Sequence, residues 1–340
     1  MNTPAELGFH MPAEWTSHQR CWMAWPSRHI QWDDFGRVED AYANVANAIA
    51  GFEPVTMVVN PENAQSARAL CGNNIELLEM AIDDSWMRDT GPSFLRHRDS
   101  GIVAGTDWRF NCWGGYTPSY HQDAQIAGRI LNHLGFDAYH SSLTMEGGGL
   151  HVDGDGTLVT CESVVLNPNR NWGMDKKQAE IELCRATGAK KVIWLPGDLK
   201  GDTADMTDGH IDGIMCFVKP GVIIFEMDSA SEGTERKLEQ ENRRALELAR
   251  DAQGRKLEII DLVVDHSEIG QGFELFCSSY INFYLPNGGV VLPCYGVDSD
   301  DIVRDFYAHV FSDRKIVSVD INAIAPGGGG IHCITQQQPA

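Results

Sequence analysis

Basic side chains are scarce in this sequence. Its 340 residues carry 27 Lys and Arg against 48 Asp and Glu, which gives a formal net charge of −21. Such a surface repels phosphate backbones and anionic lipid, so it disfavours nucleic-acid and membrane partners and mildly favours a cationic ligand. Long apolar runs are also missing, because IMCFV and VIIFEM fall far short of the ~20 residues that a membrane-spanning helix needs. These absences predict a globular protein with no nucleic-acid and no membrane partner.

Paired cysteines are absent as well. The nine cysteines are scattered, odd in number and without a CxxC pair, a pattern typical of reduced thiols rather than of a disulfide framework. The N-terminal MNTPAELGFHMPAEW has no basic segment followed by an apolar stretch, so we do not expect a secretory signal. Together these features predict a cytoplasmic protein, in which Cys71, Cys184 and Cys216 pack as small core residues.

The chain contains no low-complexity tract and no Pro/Ser-rich linker, and we predict a single catalytic domain over residues 1–340. Within it one unit recurs, in which a polar or acidic cluster opens a short strand and a second apolar strand returns after a turn. The unit is found at 88–105, 146–166, 208–226 and 278–295. The turn signals include DGDG, KPG and PNGG, which favour β-hairpins.

Between the hairpins, apolar residues recur at helical spacing. The predicted helices are 119–134, 175–187, 234–250 and 298–311, with short strands at 190–195 and 314–320 and a further helix and strand over 38–59. The modules of hairpin, helix and strand then number about five, and repeats of this length favour a radial or stacked arrangement. A radial arrangement would bring the acidic openings of the modules to one central site.

The run GGGGIHCITQQQ at 327–338 is the strongest local signal for chemistry. Four glycines permit close approach of the backbone to a ligand or a positive φ, and Cys333 follows them directly. Its neighbour His332 would point to the opposite face of a strand, so a base for Cys333 must come from elsewhere. No Lys-Ser/Thr follows the glycines, which argues against a phosphate loop. Packing of Cys333 as a core residue is the competing interpretation.

A histidine between carboxylates forms the second signal, TDGHIDG at 207–213. On a strand, Asp208, His210 and Asp212 would share one face. Such a set suits a general base with an orienting partner, and it equally suits metal ligands. A polar loop in which the histidine is merely hydrogen-bonded would give the same pattern.

Two further carboxylates open other modules. Asp89 lies in DDSWMRDTGP at 83–92, where an ion pair with Arg88 is the alternative reading. Glu146 precedes three glycines at a strand start, where glycine often marks only a bulge or sharp turn.

The five candidates occupy matching points of successive modules: Asp89, Glu146, His210, Asp212 and Cys333. Neighbouring carboxylates repel one another unless a cation lies among them. A guanidinium fits, because its N–H groups match carboxylates in bidentate fashion. Once such a group is anchored and dehydrated, its central carbon is open to attack by a thiolate. The residues therefore predict a cysteine hydrolase that acts on a small cationic guanidino substrate.

Eight segments then carry a family resemblance: AWPSR (24–28), DDSWMRDTGP (83–92), DWRFNCWGG (107–115), HVDGDGT (151–157), LNPNRN (166–171), TDGHID (207–212), YINFYLPNGG (280–289) and IHCITQQQP (331–339). In the same order, they resemble agmatine deiminases of the Porphyromonas-type peptidyl-arginine deiminase family, within the guanidino-group-modifying superfamily. The likeness runs from about residue 11 to the C-terminus. It implies a five-bladed α/β propeller with a central active site, no cofactor and no metal.

The resemblance also implies roles. Cys333 would be the nucleophile and His210 the general acid/base, through a covalent thiouronium that water hydrolyses to a ureido product. Asp89 and Asp212 would grip the guanidinium nitrogens, and Glu146 would orient His210 or bind nearby. With agmatine, the products would be N-carbamoylputrescine and ammonia.

The substrate tail is less defined. Trp86, Trp113 and Asp208 are further candidates for substrate binding, although tryptophans are more often core residues. Where the family usually has a glutamate before Thr-Asp-Gly-His, this chain has Met206, and Asp202 or Asp205 is a candidate substitute. Gly330 stands where an asparagine is usual.

Three alternatives stay open from the sequence. The substrate could be another small guanidino compound, or an amine could replace water, as in an amidinotransferase. A metal-dependent hydrolase built on His210 and Asp212 is the third. The oligomeric state is open too, a homo-oligomer included.

Overall fold

Five β-sheets repeat one arrangement along the chain. The structure is a computed structural model that describes residues 2–27, 32, 34–198 and 206–340. In every sheet one strand leads through a helix to a strand that lies parallel to it, and in four of the sheets the first of these two strands also pairs antiparallel with another strand. A parallel neighbour requires such a crossover connection, and the helix covers the sheet that it crosses.

The strands are β1 (Phe9–His10), β2 (His18–Ala24), β3 (Val55–Val59), β4 (Ile75–Glu79), β5 (Ser93–His97), β6 (Val103–Arg109), β7 (Ala138–Thr144), β8 (Leu150–Val152), β9 (Thr157–Cys161), β10 (Lys191–Leu195), β11 (Met215–Lys219), β12 (Val222–Asp228), β13 (Glu258–Val264), β14 (Gly289–Cys294), β15 (Lys315–Asp320) and β16 (Thr335–Pro339). The helices are α1 (Phe35–Ala50), α2 (Ala64–Leu70), α3 (Met87–Thr90), α4 (Cys112–Gly115), α5 (Ile126–Leu134), α6 (Glu162–Val165), α7 (Pro168–Asn171), α8 (Lys176–Thr187), α9 (Gly233–Leu248) and α10 (Ser299–Val310).

In chain order the sheets are β16-β2-β3-β4, β1-β5-β6-β7, β8-β9-β10, β11-β12-β13 and β14-β15. The last sheet is completed by an antiparallel bridge between Tyr284 and Val291. The helix of one module also contacts the preceding module: α8 packs on β7, α9 on β10, α10 on β13 and α1 on β15. The five modules thus close into a ring, and the predicted five-bladed α/β propeller is confirmed.

Local signals explain some of the helix boundaries. Helix α8 starts at a capping box formed by Asp175 and Gln178, which satisfies amides that the first turn leaves unpaired. It ends at Gly188, and α5 ends at Gly135, both in the left-handed conformation that glycine adopts without strain. Apolar residues on the inner faces of helices and sheets form three buried clusters.

Two predicted elements are wrong in detail. The helix expected over 119–134 begins only at Ile126, because Asp83 accepts hydrogen bonds from the Ser119 hydroxyl and the Gln122 amide and holds this stretch in a turn. The strand expected at 208–213 is a turn followed by a 3-10 helix over Ile211–Gly213. Positive φ angles at Asp208 and Gly209, 62° and 93°, break the extended backbone there.

None of the helices in the described part of the chain is both long and apolar enough to cross a bilayer. All nine cysteines are free thiols, as expected for a chain without a disulfide framework.

Candidate active site

Four of the five modules carry candidate residues on the short segment that precedes their first complete strand. Asp89 lies in α3 before β5, and Glu146 lies before β8. His210 and Asp212 belong to the turn before β11, and Cys333 lies in the turn before β16. The five residues predicted from the openings of the modules therefore stand on equivalent segments of the ring.

Gly148 marks the point where three of these side chains meet. A Cβ at this position would lie 2.6 Å from His210 Nδ1, 2.9 Å from Asp89 Oδ1 and 3.0 Å from Asp212 Oδ2. Any side chain here would displace the acids and the imidazole, so the glycine leaves the space between them open. The glycines after Glu146 are therefore more than a bulge, because their lack of side chains lets the backbone pass close to Asp89, His210 and Asp212.

Asp89 is buried and held at both oxygens. Its Oδ1 accepts the Gly148 amide and its Oδ2 accepts the Trp113 indole N–H, each at 2.9 Å. Burial raises the pKa of Asp89 above its ordinary value, and the neighbouring carboxylates Asp212 and Glu146 add to the rise while His210 opposes it. A cation bound at this point would stabilise the ionised carboxylate.

Glu146 lies behind His210 and is paired with a buried arginine. Arg170 Nε donates to both carboxylate oxygens at 2.9 and 3.0 Å, and both side chains are fully buried. Burial alone would raise the pKa of Glu146, but Arg170 and His210 outweigh it and lower the pKa below its usual value. The Arg170 guanidinium also donates to Asp208, so one cation serves two acids.

His210 lies between carboxylates. Its Nε2 is 3.2 Å from Glu146 Oε2, and its Nδ1 faces Asp89 Oδ1 at 3.8 Å. Burial disfavours the charged imidazolium, but Asp89, Glu146 and Asp212 outweigh it and raise the pKa of His210 to about 9. Near neutral pH the imidazole is therefore protonated, with Nδ1 directed to the open point beside Gly148.

Cys333 faces Asp212 and an asparagine. The sulfur lies 3.8 Å from Asp212 Oδ2 and 3.1 Å from Asn282 Nδ2. Burial, and then the charges of Asp212 and Asp89, raise the pKa of the Cys333 thiol well above its ordinary value. The nucleophile candidate is thus held as a thiol while no cation offsets the neighbouring carboxylates.

Asp212 is fixed from behind by a buried hydrogen-bonded chain. His332 Nδ1 lies 2.8 Å from Asp212 Oδ2, and His332 Nε2 lies 3.0 Å from Glu14 Oε2. Burial would raise the pKa of Asp212, but the His332 hydrogen bond and charge outweigh it and lower the pKa. His332 therefore acts on Asp212, in keeping with the expectation that it is not the base for Cys333.

One group of metal-ligand type occurs in the described residues: Glu14, His151 and His332, whose ligand atoms lie within 4.8 Å of one another. His210 is not a member of it, and neither is Asp212. A metal-dependent reaction centred on His210 and Asp212 gains no ligand set from this geometry.

Only some of the residues predicted to bind the substrate tail border the site. Trp113 bonds Asp89, and a Cβ on Gly329 would lie 2.4 Å from the Trp86 ring and 3.0 Å from Cys333 Cβ, so both tryptophans border the site. Asp208 accepts hydrogen bonds from Arg170 and Asn169. Asp202 and Asp205 lie outside the described residues. The Met206 sulfur lies beside Gly328, where a Cβ would approach it to 3.0 Å.

Several residues of this site were not predicted from the sequence, namely Arg170, Asn282, Glu14 and the supporting role of His332. The segments LNPNRN and YINFYLPNGG contain two of them and were noted only for their resemblance. Position in a module opening could have identified Asn282, because it precedes the Tyr284 bridge as Asp89 precedes β5.

The sequence also matches a known protein family. Residues 10–339 match the sequence profile of the Porphyromonas-type peptidyl-arginine deiminases. The chain belongs to that family. The four module openings that hold the acids, the histidine and the thiol all lie inside the matched region.

Among relatives in this deiminase family, a Legionella pneumophila protein provisionally assigned as an agmatine deiminase is 42% identical over all of this chain and 97% of its own. The agmatine deiminase of Ectopseudomonas mendocina is 39% identical over 99% of this chain and 97% of its own. The solved structure of Enterococcus faecalis agmatine deiminase superposes with a TM-score of 0.93 at 34% identity, covering 100% of this chain and 98% of that one.

Proposed function

We propose that this chain is a guanidine deiminase, a hydrolase of C–N bonds, and that agmatine is its substrate. The observation that carries the proposal is the convergence of Asp89, Asp212 and His210 on the point beside Gly148, with the Cys333 sulfur at Asp212. Agmatine deiminases that align over nearly their full length support the choice of substrate. We further propose that residues 1–340 act as one catalytic domain, in the cytoplasm.

Binding of the substrate prepares the nucleophile. A guanidinium between Asp89 and Asp212 donates its N–H groups to the two carboxylates. Its positive charge offsets the two carboxylate charges that raise the pKa of the Cys333 thiol, so the sulfur loses its proton to solvent when substrate is present. The free protein is thereby protected from indiscriminate thiol chemistry.

The thiolate then adds to the guanidinium carbon, forming a C–S bond. His210, protonated near neutral pH, gives its proton from Nδ1 to the departing nitrogen, and the C–N bond breaks to release ammonia. The carbon remains attached to Cys333 as a thiouronium. Neutral His210 takes a proton from water, the resulting hydroxide adds to the carbon, and the C–S bond breaks to return the thiolate. The new hydroxyl group then gives its proton to solvent, which leaves the neutral ureido product.

Residues farther out hold this machinery in place. Glu146 and Arg170 fix His210 Nε2, so that Nδ1 is the nitrogen directed to substrate. Trp113 and the Gly148 amide occupy lone pairs of Asp89 and so fix its orientation toward the substrate. Trp86 borders the space in front of Cys333, and we propose that both tryptophans line the path of the aliphatic chain.

Covalent trapping tests the proposal. The protein is mixed with agmatine, quenched and analysed by mass spectrometry, and we expect an adduct on the peptide that contains Cys333. Cys333→Ser should lose both the adduct and ammonia release, whereas Cys184→Ser, which alters another partly buried thiol on α8, should keep them. Adduct on another cysteine, or turnover by Cys333→Ser, would contradict the mechanism.

A substrate panel decides the rest. Ureido product and ammonia are measured with agmatine, arginine and guanidino acids, each with EDTA. Turnover of a guanidino compound in place of agmatine would keep the chemistry and change the substrate. Met206, which lies beside Gly328, gives a reason for that outcome, because it stands where the family usually has a glutamate. Ammonia release that requires an added amine would indicate an amidinotransferase, and loss of activity in EDTA would indicate a metal.

A further inference from the structure

The side chain of Asn282 lies directly on the turn that carries Cys333. Its Oδ1 accepts the Cys333 amide at 3.2 Å, while its Nδ2 donates to the Cys333 sulfur at 3.1 Å and to the Asp212 carbonyl at 3.3 Å. The Asn282 carbonyl also accepts the His332 amide at 3.1 Å. A residue that is 2% exposed thus holds the turn of His332 and Cys333, through its backbone carbonyl and its side chain respectively.

The backbone partners determine which end of the amide meets the sulfur. The Cys333 amide can only donate, so it requires Oδ1, and the Asp212 carbonyl can only accept, so it requires Nδ2. A flipped amide would place two donors together and two acceptors together. The group that faces Cys333 Sγ is therefore an N–H donor, and such a donor favours the negatively charged form of its acceptor.

Gly330 provides the space that this amide occupies. A Cβ at position 330 would lie 2.7 Å from Asn282 Oδ1 and 3.1 Å from its Cγ. The φ angle of Gly330 is outside the positive range that only glycine tolerates, so the local backbone would accept alanine. In this chain, a side chain at position 330 would therefore have to displace the Asn282 amide.

We propose that Asn282 is a positioning residue that fixes the Cys333 turn and favours the thiolate through its N–H, and that a side chain added at Gly330 of this chain would displace the Asn282 amide. The proposal rests on the proposed function in one respect, that Cys333 is the nucleophile. It extends that function to a residue of the fifth module, so all five modules then contribute to the site.

The charged groups around the sulfur oppose this effect. Asp212, Cys277 and Asp89 disfavour a negative sulfur, whereas a backbone hydrogen bond from Gly330 favours it. The phenol of Tyr42 also lies close enough to interact with Cys333. Loss of the Asn282 donor therefore leaves a sulfur that faces mainly acids.

The test is the pH profile of Cys333 alkylation by iodoacetamide, measured by mass spectrometry on the intact protein without substrate. For Asn282→Ala we expect the profile to move to higher pH by about one unit, which makes alkylation about tenfold slower at a fixed pH below the pKa. Asn242→Ala is the matched control, because Asn242 is also buried and its Oδ1 also accepts a backbone amide, that of Gly197. Its profile should coincide with that of the unaltered protein.

Gly330→Ala provides the second arm. It should move the profile in the same direction, and the double variant with Asn282→Ala should move it no further than Asn282→Ala alone. Gly36→Ala, on α1 and without a close neighbour, should have no effect. An unmoved profile for Asn282→Ala, or a Gly330→Ala shift that adds to it, would overturn the proposal.

These outcomes are separate from those of the substrate panel. Iodoacetamide requires no guanidino compound, so the alkylation profiles decide the role of Asn282 even if nothing on the panel is deiminated. Far-UV circular dichroism of each variant identifies any that fails to fold, and in that case Gly330→Ala, which keeps every polar group, carries the test.

Discussion

Removal of the Arg170 guanidinium tests how the acid behind His210 is held. Arg170 and Glu146 are both fully buried, and the guanidinium bonds both Glu146 oxygens, Asp208 and the Thr207 carbonyl. Arg170→Met keeps much of the volume and removes the charge and every donor. Glu146 is then left as a buried carboxylate whose nearest cation is His210.

The expected cost follows from that geometry. Breaking a buried ion pair at one partner costs about 3–5 kcal/mol, because the remaining charge is desolvated without compensation, whereas removing both charges is often close to neutral. We therefore expect Arg170→Met to lower the free energy of unfolding by about 3–5 kcal/mol. Arg170→Met with Glu146→Gln should recover a large share of that loss. Neither variant should be active, since His210 loses its ordered partner in both.

Urea titration followed by circular dichroism gives the free energies, with a constant slope as the condition for comparing midpoints. Arg243→Met is the control, because Arg243 pairs with Asp261 and Glu247 at the surface and exposed pairs contribute only about 0–1 kcal/mol. If Arg170→Met cost no more than Arg243→Met, or if the double variant lost the sum of its two single changes, the reasoning would be refuted.

Three further predictions follow from the same charges. The pKa of His210 is raised from 6.5 to about 9, and the stability that such a shift contributes is complete below the unfolded-state pKa and is lost as the pH rises through the folded-state pKa. The free energy of unfolding should therefore fall between pH 6.5 and about 9. The fall should be less steep in His210→Gln, whereas His309→Gln, on the exposed face of α10, should keep the slope of the unaltered protein. Asp208→Asn should lower kcat and stability, the latter by about 1 kcal/mol, with little change in KM, because Asp208 bonds Arg170; a KM effect alone would place it on the substrate instead. Trp113→Phe removes the indole donor to Asp89 and should reduce kcat/KM about tenfold, as expected for a hydrogen bond to a charged group, and an unaltered kcat/KM would contradict that role.

The modules could be predicted because their signals are local. Turns such as PNGG and the helical spacing of 175–187 involve residues close in sequence, and the structure has a bridged turn and α8 at those places. The recurrence of hairpin, helix and strand then indicated the ring. The predicted strand at 208–213 is wrong because two consecutive positive φ angles reverse the chain there. The alternation of polar residues in the sequence does not reveal such angles.

The supporting residues could not be predicted for the opposite reason. Glu14 and His332 bond each other although 318 positions separate them, and no local pattern in either segment indicates the pairing. The glutamines after Cys333 are a second example. They lie buried in β16, where Gln337 accepts from Arg88 and Gln338 from Trp22.

The strand that closes the ring also carries the thiol. β16 pairs with β2 through Thr335 and Met23, and Cys333 is only two residues upstream of that pair. If β16 detaches from β2, the nucleophile leaves its acids while the other four sheets keep their hydrogen bonds. Amide exchange in β16 would then report the fraction of molecules competent for catalysis, and inactivation by denaturant would precede the loss of helical signal. Separation of β16 from β2, rather than unfolding of the whole ring, would then be enough to abolish activity.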